Sequence, residues 1–255
     1  MSRKAQEVVA VAELYRRRAA VLVRAGERGG EAAQLLNHSL GLYRRQEGGS
    51  GLAEALLLQG CGGHTQGAVG LAEALYLSSP RAGLDQSIFD GALILLMEKL
   101  HESEVGLEDY ESITRWILAA SHRWFRRRSK CKRKLGLMWA EGTAFAKLGL
   151  GRRAEHRLSS AWLGFSRLGD YEYLAVTGMD LATVLIGHDE RDLALEILQV
   201  SRERVHRQCA DGELEESLKK AEDLSLMELD VLRASTARRW LPSTGDVWWS
   251  NRYEE

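Results

Sequence analysis

Residues 135–169, LGLMWAEGTAFAKLGLGRRAEHRLSSAWLGFSRLG, constrain the fold more than any other stretch. Leu137, Met138, Glu141, Gly142, Phe145 and Leu148 recur every three or four positions, which is one face of an α-helix. Gly142 falls inside that helix, where glycine costs about 1 kcal/mol relative to alanine. A glycine kept there points to a neighbouring helix that passes too close for a side chain. Gly149 stops the helix and Gly151 follows in the turn. A second helical face then carries Ala154, Leu158, Ala161, Trp162, Phe165 and Leu168, and Gly169 ends it. The stretch therefore folds as a helical hairpin.

Other segments are weaker copies of the same unit. Residues 4–25 place Val8, Val11, Leu14, Tyr15, Ala19, Leu22 and Val23 on one side of a helix, and Ala32, Leu35, Leu36, Leu40 and Tyr43 mark the next. Ala20 and Ala32 are separated as Gly142 and Ala154 are. The hexapeptide Gly-Leu-Ala-Glu-Ala-Leu occurs at Gly51–Leu56 and again at Gly70–Leu75, in two short helices over 51–60 and 67–78. Residues 84–102 are apolar nearly all round, so this helix belongs in the middle of a stack. Residues 107–126 form a further helix. Gly178, Ala194, Leu198 and Ser201 echo the first hairpin, with a turn at Gly187–Glu190 read as several residues longer. Residues 211–236 give a charged helix with one apolar stripe, suited to cap the end of a stack.

The spacing of Met138, Glu141-Gly142, Phe145, Ala154, Leu158 and Ala161 resembles the tetratricopeptide repeat, a helical hairpin of about 34 residues. Glu141 stands where that family carries Leu, and Ser166 where it closes with Pro. The resemblance covers residues 13–208 loosely and 135–205 with more specificity. It implies an all-α, right-handed superhelical solenoid of about five antiparallel helix pairs over residues 1–238, closed by a capping helix. Residues 239–255 would form a separate, non-helical aromatic tail. The family's function is protein binding, with the first helix of each pair lining a concave groove. Carried onto this chain, that implies groove contacts by Glu141 and Lys147, beside Arg133 and Lys134, with Arg152 and Arg153 as weaker candidates.

Composition agrees with an all-α chain. Only two prolines occur in 255 residues. The net charge of −1 excludes a generic polyanion binder, so any such role must be local. Cys61, Cys131 and Cys209 are odd in number and far apart, which argues against a disulfide framework and fits a reducing cytoplasm. Glu7 and Glu13 interrupt the first apolar run, which excludes a signal peptide, and no stretch approaches the roughly 20 apolar residues of a membrane span.

Catalytic and metal motifs are weak. Cys61 and His64 form a lone C-x-x-H pair in a Gly-rich turn, two ligands short of a structural zinc site. The Gly-rich turns lack a phosphate-loop ending. Asp189 is read as an N-cap. The tryptophans Trp116, Trp124, Trp139 and Trp162 are read as core. No enzyme, cofactor or metal is expected. Two features point to a partner. Ser121–Lys134 carries Arg123, Arg126, Arg127, Arg128, Lys130, Lys132, Arg133 and Lys134 without an acid, more cations than helix capping requires. The tail carries Trp240, Trp248, Trp249 and Tyr253, aromatic anchors typical of interfaces. The expected partner is another protein, held by the groove, the basic edge or the tail. The alternative is a regulator that contacts nucleic-acid phosphate through the basic edge.

Overall fold

The computed structural model describes residues 3–27, 30–46, 49–61, 67–79, 86–101, 106–125, 132–208 and 212–223. Every regular element among them is helical: α1 (Arg3–Arg24), α2 (Gly30–Arg45), α3 (Gly49–Cys61), α4 (Gly67–Ser78), α5 (Gln86–His101), α6 (Leu107–Phe125), α7 (Lys132–Lys147), α8 (Gly151–Leu168), α9 (Tyr171–Gly187), α10 (Arg191–Gln208) and α11 (Gly212–Asp223). Consecutive helices pack in pairs, as in a helical solenoid. The chain divides into two compact units. Residues 224–255, which include part of the expected capping helix and the whole aromatic tail, lie outside the described residues.

In the first unit α2 packs on α1, α3 on both, and α4 on α3. Ala20 and Ala32 are buried, as their spacing implied. Three helices are tied by one charged cluster. Arg16 of α1 is buried and pairs with Glu13 at 2.6 Å and with Glu54 of α3. Tyr43 of α2 donates to Glu13 at 2.7 Å. Burial by itself pushes the Glu13 carboxyl up, but hydrogen bonds from Arg16, Arg17 and Tyr43 outweigh it and hold the pKa at about 2 instead of 4.5. Burial and the Glu13 carboxylate in turn push the Tyr43 hydroxyl above its ordinary range.

A depressed carboxylate contributes stability that is fully present above its unfolded pKa and is lost as pH falls toward the folded one. The first unit should therefore weaken between pH 4.5 and about 2. Solvent screening of this partly exposed group reduces the contribution to about 1–2 kcal/mol. Glu13→Gln should flatten the acid limb of a stability-versus-pH curve measured by urea unfolding. An unchanged limb would place the acid sensitivity elsewhere.

In the second unit α8 packs on α7, α9 lies against both, α10 packs on α9, and α11 lies against α9 and α10. Ala154, Leu158, Ala161 and Phe165 of α8 are buried, as are Ala194, Leu198, Ser201 and Val205 of α10, each forty positions later. The second helices of the two hairpins are thus equivalent faces. Gly142 permits the first hairpin to close: a Cβ there would lie 2.6 Å from Leu158 Cγ and 3.1 Å from the Leu158 backbone nitrogen. The described part of α11 buries Leu218 and Ala221 and pairs Lys220 with Glu216 on its exposed side at 2.8 Å. An apolar inner stripe and a charged outer face are what a terminal helix requires.

Three turns of this unit share one closure. Gly149, Gly169 and Asp189 all take left-handed backbone, with φ of 70°, 70° and 64°. After each, the next amide donates back to a carbonyl five residues earlier: Leu150 to Phe145 at 2.9 Å, Asp170 to Phe165 at 3.1 Å and Glu190 to Leu185 at 2.9 Å. This satisfies carbonyls that the helix end leaves open. Two expectations change here. Asp189 does not cap α10; it closes α9 in a conformation L-residues resist. Nor is the Gly187–Glu190 turn longer, because residues 188–190 match residues 148–150 in number. The extra four positions between Gly178 and Ala194, against Gly142 and Ala154, lie within α9, which runs one helical turn further past its glycine. Asp189→Gly should stabilise the protein by about 0.5–1 kcal/mol in a urea melt, because it removes the left-handed penalty.

Candidate partner-binding site

The basic edge is divided between roles. Arg123, at the end of α6, donates to the Tyr76 carbonyl at 2.9 Å and to Ser79 Oγ at 3.4 Å, and its guanidinium lies 3.6 Å from the Tyr76 ring centroid. It caps the C-terminal end of α4, where a cation meets the helix dipole. Lys132, at the start of α7, pairs with Asp170 at 2.7 Å and sits 4.2 Å above the Tyr173 ring. Both charges therefore serve the fold. Arg133 and Lys134 are half-buried on the first turns of α7. Arg126, Arg127, Arg128 and Lys130 lie outside the described residues, as do Trp240, Trp248, Trp249, Tyr253 and His64.

The groove residues also separate. Glu141 is not on an exposed face. It is fully buried and forms an ion pair with Arg157 of α8 at 2.7 Å. Its neighbour Gly142 brings α8 so close that the carboxylate has to be neutralised between the two helices. Lys147 is half-buried in the last turn of α7.

An open surface groove does run between α7 and α8. Its floor is Leu135, Met138, Leu163 and Leu168, and its volume is about 320 Å³. Gly164 lets Leu135 lie flat against α8. Lys134 and Arg167 stand on the rim, and no acid lines it among the described residues. Leu163 and Leu168 are 47% and 48% exposed and lie together in this one apolar patch. Met138 and Leu168 were already visible as helical-face residues; Leu135 was not among them. Leu163 and Arg167 were missed, because they fall on the side of α8 that periodicity assigns to solvent.

The interior of the second unit holds a polar cluster that sequence reasoning also missed. Asp180 of α9 is fully buried and accepts from Trp139 Nε1 at 2.6 Å and Thr143 Oγ1 at 2.9 Å, both on α7. Its other oxygen lies 3.1 Å from His101 Nε2, at the end of α5, while His101 Nδ1 donates to the Met97 carbonyl at 2.6 Å. With Nδ1 committed to a carbonyl, a proton must also lie between Nε2 and the carboxylate. Trp139 lies between His101, tilted at 47° with ring centroids 6.1 Å apart, and Tyr173, in a T-shaped contact at 5.7 Å. A second buried link joins Trp162 Nε1 to Ser201 Oγ at 2.9 Å, beneath Gly178. The advance signal was Asp180, the one acid of α9 beyond its first turn, in a mainly apolar run.

The His–Asp pair is sealed among packed side chains, so it joins helices instead of facing a cleft. Among the described residues no group of three or more His, Cys, Asp or Glu could hold a metal ion, and no helix is long and apolar enough to cross a membrane. Comparison with protein-family models and with curated proteins finds no match.

Proposed function

We propose that this chain is a non-catalytic scaffold or adaptor of the tetratricopeptide type that binds another protein in the cytoplasm, as part of a regulatory or larger effector complex. One observation carries the reading: a helical stack leaves an apolar, base-rimmed groove open on α7 and α8, while its most reactive-looking side chains are tied to one another inside. Apolar floors with charged rims are the usual anatomy of a protein-binding patch. The nucleic-acid alternative is the weaker reading, since Arg123 and Lys132 are engaged with their own fold. Steep salt dependence of binding to DNA or RNA would restore it.

Affinity capture of the full chain with mass spectrometry tests the reading, run beside three variants. These are Leu163→Glu, charge reversal of Arg126, Arg127 and Arg128, and truncation before Trp240. The expected result is a reproducible partner that at least one variant loses. A partner indifferent to all three removes the named sites, and no partner at all removes the function.

A further inference from the structure

We propose that the groove between α7 and α8 seats an amphipathic helix of a partner protein, with a pair of large apolar side chains on its floor and acidic residues along its rim. The proposal rests on the scaffold reading above and specifies the chemistry of the partner.

The shape excludes a small enclosed ligand. A volume of about 320 Å³ is at the lower end of ligand pockets, which bury most of their ligand's surface. Here Leu163 and Leu168 each remain about half exposed, so the groove is an open trough along two helices. A trough with a leucine and methionine floor suits anchors at i and i+3 or i+4 of a helix laid into it. The same hairpin already receives one helix in this way: α9 lies against both α7 and α8, packed at Trp162 and Gly178.

The charge fixes the sign of the partner. Among the described residues that line the trough, the charged ones are Lys134 and Arg167. Arg167 is exposed in the last turn of α8 and has no ion-pair partner among the described residues. Acidic residues flanking the apolar anchors complement this rim and suppress basic competitors. A second copy of the chain is disfavoured by the same geometry. A two-fold contact through this patch sets like surfaces together and brings the Lys134 and Arg167 rims against their own counterparts.

Selection from a random peptide-display library on the full-length protein provides the test, with fluorescence polarisation of the selected peptides afterwards. The expected peptides carry paired large apolar residues at helical spacing and a net negative charge. Leu163→Glu should weaken them by about tenfold or more. Arg167→Glu should weaken them and favour versions whose acids are changed to lysine. Both side chains are exposed, so unchanged circular dichroism melts should accompany the losses. Peptides without the paired pattern, peptides indifferent to both variants, or no enrichment would each overturn the proposal. So would a wild-type dimer, seen by light scattering, that Leu163→Glu dissolves. If a cellular partner is captured yet survives Leu163→Glu, the scaffold function stands and this groove assignment falls. If nothing is captured and nothing is selected, both fall.

Discussion

Asp180→Ala is expected to lower the unfolding free energy of the second unit by about 3–5 kcal/mol, the cost of removing the shared acceptor of a buried, hydrogen-bonded cluster. One carboxylate accepts from Trp139 and Thr143 and faces His101, and all four residues are buried. Its removal strands Trp139 Nε1 and leaves His101 Nε2 without its partner, while the Thr143 hydroxyl keeps the Trp139 carbonyl at 3.1 Å; each stranded group costs about 1–3 kcal/mol. Asp180→Asn should be much milder, at about 1 kcal/mol. The amide oxygen can still accept from Trp139 and Thr143, and the amide nitrogen can donate to a neutral His101 Nε2. Urea unfolding followed by tryptophan fluorescence separates the two. Equal losses would mean that the negative charge itself, not the count of acceptors, holds α5, α7 and α9 together.

Gly142→Ala is expected to destabilise the protein by about 1–3 kcal/mol, even though alanine is the better helix former by about 1 kcal/mol. The new methyl would meet Leu158 at 2.6 Å, and Leu158 is fully buried with its backbone nitrogen only 3.1 Å away. The side chain has no room to rotate clear, so α8 must move off α7. Gly41→Ala in α2 is the control. A Cβ at Gly41 meets nothing within 4 Å, and the same substitution should there raise stability by up to about 1 kcal/mol. Thermal melts of the two variants should move in opposite directions. A stabilising Gly142→Ala would mean that the α7–α8 contact is looser than its geometry indicates.

Much of the fold was legible before any tertiary information. Helical periodicity located α7, α8 and their shared face, because burial on one side of a 3.6-residue repeat leaves a direct pattern in sequence. Gly142 and Gly149 announced a close contact and a helix end, since few other residues tolerate either role. Asp189 did not announce its left-handed turn. An Asp before a helix is equally the mark of an N-cap, and local sequence does not separate the two. The longer α9 was mistaken for a longer turn for a related reason. An added helical turn and an added loop look alike when the inserted residues are apolar and small.

The site was less legible than the fold. Arg123, Lys132 and Glu141 were assigned to a partner because charges read one at a time belong to solvent. Each is used internally: by Tyr76 and Ser79, by Asp170 and Tyr173, and by Arg157. The partner of Asp180 lies 79 residues away at His101, a pairing with no local trace. The groove is likewise a property of two helices together, since Leu163 and Arg167 acquire meaning only beside Leu135 and Lys134. By itself, then, the sequence determined where helices form, which faces they bury and where they must approach closely. Those are consequences of backbone period and side-chain size. Only the tertiary structure decided which charges are spent inside and which face is left open, because both depend on what stands opposite each side chain.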